Sequence, residues 1–369
     1  MVTSMNQRGA PGIRGRLGQL CYSSGLLYSL QRVRAWWQRD LRILAYHRVM
    51  PLPDPDTYEF DLELISTPPE EFREQMRRIK RYFHPMRLTD VVAALDAGEA
   101  LPPDTVAVTF DDGYDDNYRI AAPILDELKV PATFFVSTGH IDTGKPYAYD
   151  WLVHMILMTD RPRLVLPELG IDVAIPRERA LRRRIAGNVL LRMKWLDAFG
   201  QAAMIERLET EWNMPSASAR PRDCRPMTWD QAREMEAAGL EFGSHGVHHR
   251  MLARLPIDEM EREVRESKAT LDRELANPAL LMSYPVGGDR AYNDAVVSAT
   301  RKAGFQLACS YVCGTNPEPS ENRYALYRLP VESNMGPGWF AAMLALPQLM
   351  SYPTVAHEVQ GPREQPCSP

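Results

Sequence analysis

Apolar and polar positions along the chain switch between two periods, and the switching predicts strands separated by helices. Thr105-Val-Ala-Val-Thr-Phe110 is almost unbroken in apolar character, as in a strand buried on both faces of a parallel sheet. A polar turn, Asp111-Asp112-Gly113, follows it, then a helical pattern over 117–128 and a second apolar strand, Pro131-Ala-Thr-Phe-Phe-Val136. Strand, loop, helix and strand form a βαβ unit and point to an α/β fold. The same grammar recurs elsewhere. Strands are expected at 42–47, 240–244, 280–284, 306–310 and 326–331. Helices are expected at 69–82, opened by Pro69, at 89–97, ended by Gly98, and at 228–238, capped by Thr228 and ended by Gly239. Three more follow at 257–275, 294–303 and 338–345. The whole predicts a (β/α) barrel, incomplete and seven-stranded, carrying a helical insertion.

Three segments stand outside this alternation. Residues 1–16 are polar and rich in Gly and Arg, and read as disordered. Residues 17–37 read as one helix behind Arg8, Arg14 and Arg16. Its apolar run is broken by Gly18, Gln19, Ser23, Ser24 and Gly25, too often for a signal peptide or a membrane span. Such a helix is expected to lie on a surface, with peripheral membrane contact through it. Residues 160–222 form the insertion, where the arginine-rich stretch 177–212 has helical spacing, with a basic face for solvent or an acidic partner. The resulting division is 1–40 for tail and helix, 41–346 for the barrel with its insertion, and 347–369 for a disordered, proline-rich tail.

Composition changes the picture little. The chain has 369 residues, 45% of them hydrophobic and 25% charged, with net charge −5. That is the balance of a soluble globular protein, and it gives no reason to expect nucleic acid as a partner. Five scattered cysteines (Cys21, Cys224, Cys309, Cys313 and Cys367) make no disulfide framework, so reduced thiols and a cytoplasmic, membrane-associated location are expected.

Three polar clusters fall just after expected strand ends, where parallel α/β folds place their sites. In Thr109-Phe-Asp-Asp-Gly-Tyr114, two adjacent carboxylates point in different directions, so one can hold a metal while the other accepts a proton; they can equally cap a helix or shape a turn. In Ser244-His245-Gly-Val-His-His249, His245 and His249 are four apart and can share one ion on a helical turn, with His248 as a neighbour. Histidines on the surface or packed in the core are the alternative. Two histidines with one carboxylate make a metal site open to water and substrate. Ser283-Tyr-Pro-Val-Gly-Gly288 holds no strong acid or base; its contribution is loop geometry, either an amide aimed at an oxyanion or a plain turn.

Taken in order, Thr-Phe-Asp-Asp-Gly, Ser-His-x-x-x-His and Tyr-Pro-x-Gly resemble the polysaccharide deacetylases, the NodB-homology domain of carbohydrate esterase family four. Ala45-Tyr-His-Arg-Val49, Pro131–Val136 and Arg328-Leu-Pro-Val331 add to the likeness, which runs from about 41 to 332. The resemblance implies a metal-dependent hydrolase that removes the N-acetyl group of a sugar in a polysaccharide, oligosaccharide or lipid-linked saccharide. It implies Asp111 as general base, and Asp112, His245 and His249 as ligands of a divalent metal, with zinc first and cobalt, nickel or iron as substitutes. A backbone N–H near Tyr284 would help hold the oxyanion.

Two departures from the family pattern are visible. No arginine precedes the third motif, where Leu280, Leu281 and Met282 stand, and Arg328 is the candidate to orient the base instead. No histidine occupies a late Leu-x-His motif. His357 lies in the proline-rich tail, which leaves His47, after the first strand, as candidate proton donor. Alternative readings are an amidohydrolase of the same fold acting on a non-sugar amide, and an inactive glycan-binding relative. An iron oxygenase shares the ligand set but not the strand–helix alternation. Tyr114, Tyr118, Tyr149 and Trp151 are candidates to stack on sugar rings, or core.

Overall fold

In the computed structural model, which describes residues 13–193, 196–216, 222–288 and 290–350, seven strands form the framework. Numbered in chain order they are β1 (Arg42–Tyr46), β2 (Thr105–Phe110), β3 (Ala132–Val136), β4 (Glu241–Ser244), β5 (Leu281–Ser283), β6 (Leu307–Cys313) and β7 (Leu326–Pro330). Each pairs in parallel with the next. β1 pairs with β2 on one side, Arg42 to Tyr46 against Val106 to Phe110, and with β7 on the other, so the ring closes as a seven-stranded barrel. The short strand His84–Pro85 adds to β2 outside the ring.

Strand alternation divides the side chains into two sets. Val106, Val108 and Phe110 of β2, Ala132, Phe134 and Val136 of β3 and Phe242 of β4 cluster with Phe72, Met76 and Ile79 of the helix Pro69–Tyr82. Phe110 stacks on Phe134 with ring centroids 4.6 Å apart, and Tyr46 stacks on Phe110 from the other side. The intervening positions, among them Ile43, Ala107, Phe135, Leu281 and Leu307, line the interior and cluster with Leu88, Val91 and Val92 of the helix Leu88–Asp96. At about 1.5–3 kcal/mol per large apolar side chain buried, these two clusters hold the ring together. Toward the C-terminal ends of the strands the interior turns polar, at Thr109, Ser283 and Arg328.

Contacts divide the described residues into two compact units, the barrel (within 1–52, 63–144 and 225–352) and a second built from 53–62 and 145–224. The second unit holds the helices Ala148–Met158, Arg179–Met193 and Ala198–Trp212. It also holds an antiparallel hairpin, Arg163–Leu166 with Ile171–Ala174, which the sequence reading of 160–222 as helical does not anticipate. Its strands are only four residues each, Arg-Leu-Val-Leu and Ile-Asp-Val-Ala, too short and too irregular in pattern to stand out from the surrounding charge. The central arginines of 177–212 are engaged by backbone carbonyls of the same unit. Arg182 donates to the carbonyls of Leu157 and Thr159 at the end of Ala148–Met158, and Arg183 donates to those of Phe60 and Pro55. They satisfy backbone acceptors that a helix end and a loop leave open.

Other expectations shift at their edges. The single helix expected over 17–37 is two, Ile13–Ser23 and Leu26–Trp37, broken where Gly25 takes a left-handed φ of 73°. Residues 13–16, read as disordered, are the first turn of that helix, while 1–12 lie outside the described residues. The segment 117–128 opens as a π-helix, Asn117–Ala121, before Ala122–Leu128. Of the tail expected over 347–369, Pro347–Met350 forms a short helix; the remainder, with His357, lies outside the described residues. None of Cys21, Cys224, Cys309 and Cys313 takes part in a disulfide.

Candidate active site

The three polar clusters and the ends of β1 and β7 meet at the C-terminal mouth of the barrel. Alternation along β2 turns Thr109 and Asp111 inward, and by the same rule Asp112 would turn outward with Phe110. The backbone prevents this: Asp112 adopts φ 74° and Gly113 φ 86°, two successive left-handed residues that swing the second carboxylate back over the barrel. A side chain at Gly113 would sit 2.7 Å from Val136 Cγ1, so position 113 is closed to anything larger.

Asp112 Oδ1 lies 3.6 Å from His245 Nε2 and 3.2 Å from His249 Nε2. One donor atom from each of these three residues falls within 4.8 Å of the other two, the sole such His/Cys/Asp/Glu group among the described residues. Their chemistry fits a divalent cation. Burial pushes the His245 imidazole down to about 4, against the opposing pull of Asp111, so it is neutral near pH 7. Its Nδ1 lies 2.8 Å from the Ser283 carbonyl, which can only accept, so Nδ1 carries the proton and Nε2 presents its lone pair toward Asp112. Burial alone would raise Asp112; the hydrogen bond from His249 and the nearby histidines outweigh it and hold the carboxyl well below its ordinary value.

Asp111 has a different partner. Arg328 of β7 grips it through two parallel bonds, Nη1 to Oδ1 at 2.8 Å and Nη2 to Oδ2 at 2.6 Å. The remaining guanidinium hydrogens go to Ser283 Oγ, Thr109 Oγ1 and the Ser310 carbonyl. Five donors thus meet five acceptors in a site closed to solvent. Burial works to raise Asp111, but the Arg328 guanidinium beside it prevails and holds the carboxyl below its ordinary value. Two carboxylates adjacent in sequence therefore stand in opposite environments, one among imidazoles and one in a guanidinium fork.

His47 follows β1 at the same mouth. Its N–H donates to Ser66 Oγ and its carbonyl accepts from Asn117 Nδ2. Its ring meets that of Tyr311 edge-on at 5.4 Å, and it lies near both Asp111 and Asp112. The next residue, Arg48, forms a buried pair with Asp116, donating from Nε and Nη2.

One expectation is corrected. The Tyr284 N–H donates to the Cys309 carbonyl at 3.0 Å as part of the barrel ladder, so this amide is not open to an oxyanion. The Tyr284 side chain belongs to the outer cluster, with its hydroxyl donating to the Tyr324 carbonyl. The strained part of this loop is Val286, a β-branched residue at φ 66°. Tyr114 and Trp151 are buried and offer no face to a sugar, and Tyr118 hydrogen-bonds Glu234 of the helix Trp229–Ala237. Reasoning from sequence also misses Glu263, whose carboxylate accepts from the Val247 and His248 amides and from His248 Nδ1, anchoring the loop that carries His249. Its signal is periodicity: it shares the buried face of Ile257–Glu274 with Met260, Val264, Ser267 and Leu271.

The polysaccharide deacetylase family model matches residues 98–183 and 189–308, together more than half of the chain. The chain belongs to the polysaccharide deacetylase family. That family comprises hydrolases of carbon–nitrogen bonds other than peptide bonds. Among curated relatives, a Bacillus subtilis protein named for a polysaccharide deacetylase, YxkH, is 29% identical over 123 residues, 32% of this chain and 41% of the relative. The match thus spans well under half of that relative's length. Solved structures share the deacetylase fold. The Streptococcus pyogenes deacetylase PplD in complex with acetate aligns with TM-score 0.56 at 21% identity, covering 85% of this chain and all of that one. BC0361, a polysaccharide deacetylase from Bacillus cereus, aligns with TM-score 0.52 at 16% identity, covering 84% and 70%.

Two stability predictions follow from this geometry. Arg328→Met strands the Asp111 charge in a dry site and is expected to cost about 3–5 kcal/mol in urea unfolding. Adding Asp111→Asn to it should restore a large part of that loss, and a single variant as stable as the parent would contradict the ion-pair account. The second concerns Glu332, two residues past β7. Burial, with the charge of Glu63 adding to it, pushes this carboxyl up to about 7. The folded state therefore binds this proton more tightly than the unfolded chain. The contribution to stability is full below about pH 4.5 and is lost as pH rises through about 7. Glu332→Gln should flatten that decline, leaving the variant the more stable protein at about pH 8 in paired unfolding curves.

Proposed function

We propose that this deacetylase-family protein removes the N-acetyl group from an amino sugar within an oligosaccharide, polysaccharide or lipid-linked saccharide, in a reaction dependent on a divalent metal. The observation that carries the reading is the separation of roles between Asp111 and Asp112. Asp112, His245 and His249 would hold the ion, and a set of one carboxylate and two imidazoles suits zinc, with cobalt, nickel or iron as alternatives. Bound there, the ion would supply Lewis acidity, making water a stronger acid and the amide carbonyl a better electrophile.

The chain's own residues account for the proton traffic. Asp111, ionised and kept from rotating by Arg328, takes a proton from the attacking water as a new bond forms between water oxygen and the acetyl carbon. Arg328 thereby stands in for the arginine absent before the third motif. His47 approaches the same mouth on the β1 side and is assigned as proton donor to the departing nitrogen. The carbon–nitrogen bond then breaks, giving acetate and a free amine on the sugar. The acetate named with the Streptococcus pyogenes neighbour agrees with this product.

Acetate release from N-acetylglucosamine oligomers, beside simple acetamides, tests the proposal. Chelator should abolish release and added zinc should restore it. Asp112→Asn should lose both metal and turnover, whereas Asp111→Asn should keep its metal and slow by about 10²–10⁴-fold. Unchanged release by Asp112→Asn would overturn the ligand set, and full turnover by His47→Ala would remove that residue's role. Turnover of simple amides without the sugars would move the substrate to a non-sugar amide.

A further inference from the structure

The helix Leu26–Trp37 is amphipathic in the reverse of the usual sense. Its inner face is the narrow one. Leu27 packs with Ala341, Ala342 and Ala345 of the helix Pro337–Ala345, and Gln31, 1% exposed, donates to the Tyr82 carbonyl. Arg34 pairs with Asp40 beneath the same helix. Its outer face is apolar. Leu26, Leu30, Val33 and Trp37 recur at helical spacing, with Trp36 beside them. Val33 is 56% exposed, Trp36 82% and Trp37 81%. Of seventeen large apolar side chains exposed among the described residues, eight lie between positions 20 and 37. Such a concentration is uncommon on a surface that faces only water.

The charge of this segment runs against that of the chain. Residues 1–39 contain six arginines (Arg8, Arg14, Arg16, Arg32, Arg34 and Arg39) and no Asp, Glu or Lys, while the whole chain carries −5. Arg32, within the helix, and Arg39, two residues past its end, are both exposed. No described helix is long and apolar enough to cross a membrane. An apolar stripe with paired tryptophans and flanking arginines is the chemistry of a helix lying in the headgroup layer of an anionic bilayer, where the indoles reach the acyl boundary and the guanidinium groups meet lipid phosphates. A two-fold contact with a second copy through this face would oppose arginine to arginine with no acid in the segment to pair them.

We propose that the helix Leu26–Trp37, with Leu20 and Tyr22 of the helix before it, docks the protein peripherally on an anionic lipid surface. The test is co-sedimentation of the full chain with phosphatidylcholine vesicles prepared with and without phosphatidylglycerol. Binding is expected to the anionic vesicles, weaker to the neutral ones, and to fall as salt rises. The double variant Trp36→Ala/Trp37→Ala should bind about tenfold more weakly or worse with unchanged thermal unfolding, since both side chains are exposed. Phe199→Ala, a comparably exposed aromatic in the second unit, should bind as the parent does. Absence of binding to either vesicle, or equal binding by the double variant, would overturn the proposal. So would a dimer in vesicle-free solution that the double variant dissolves, which would assign the face to a second copy.

Discussion

A guanidinium and a carboxylate sealed inside a barrel set the terms for everything around them. Taking both charges out of water costs several kcal/mol per ion, and their attraction offsets this only if every remaining hydrogen-bonding position is filled. Arg328 meets that condition through Asp111, Ser283, Thr109 and the Ser310 carbonyl. The pair therefore fixes more than itself. It ties β7 to β2, β5 and β6 across the interior, and it keeps Asp111 out of the donor group that its sequence neighbour joins.

That division of labour depends on backbone geometry as much as on charge. Asp112 leaves the strand in a left-handed conformation, His249 does the same at φ 53°, and Val286 completes a rim of strained residues around the mouth. Conformations of this kind persist where the surroundings over-determine them. Here Gly113 packs against Val136, the Ser137 amide reaches the Asp112 carbonyl, and Glu263 holds the amides ahead of His249. The donor group is thus pre-arranged by hydrogen bonds that do not touch it.

Much of this is legible in the sequence, for physical reasons that differ from place to place. The barrel strands are readable because a parallel strand buried on both faces must be apolar almost throughout, as Thr105–Phe110 is. The gathering of Asp112, His245 and His249 is readable from motif order, since strand ends on one side of a parallel barrel share one mouth. Arg328 can be nominated but not placed, because its contact with Asp111 crosses the barrel between residues 217 positions apart. Tyr284 misleads: a motif names a residue, while the ladder decides where its amide points. The break at Gly25 and the hairpin near 163–174 stay hidden because each rests on a few residues inside a longer, differently patterned run. Arg182 and Arg183 look like surface charge until the carbonyls they serve come into view.

The closure of the ring by β1 and β7 has a consequence for the order in which the molecule can be completed. β1 is the first of the seven strands to be made, but its second neighbour is the last of them, and that strand also brings the cation opposite Asp111. Until residues 326–330 arrive, the nascent chain has an open seam along β1 and an anion with no counter-charge. Barrel and chemistry therefore mature in one late step, and truncation anywhere before that strand removes both together.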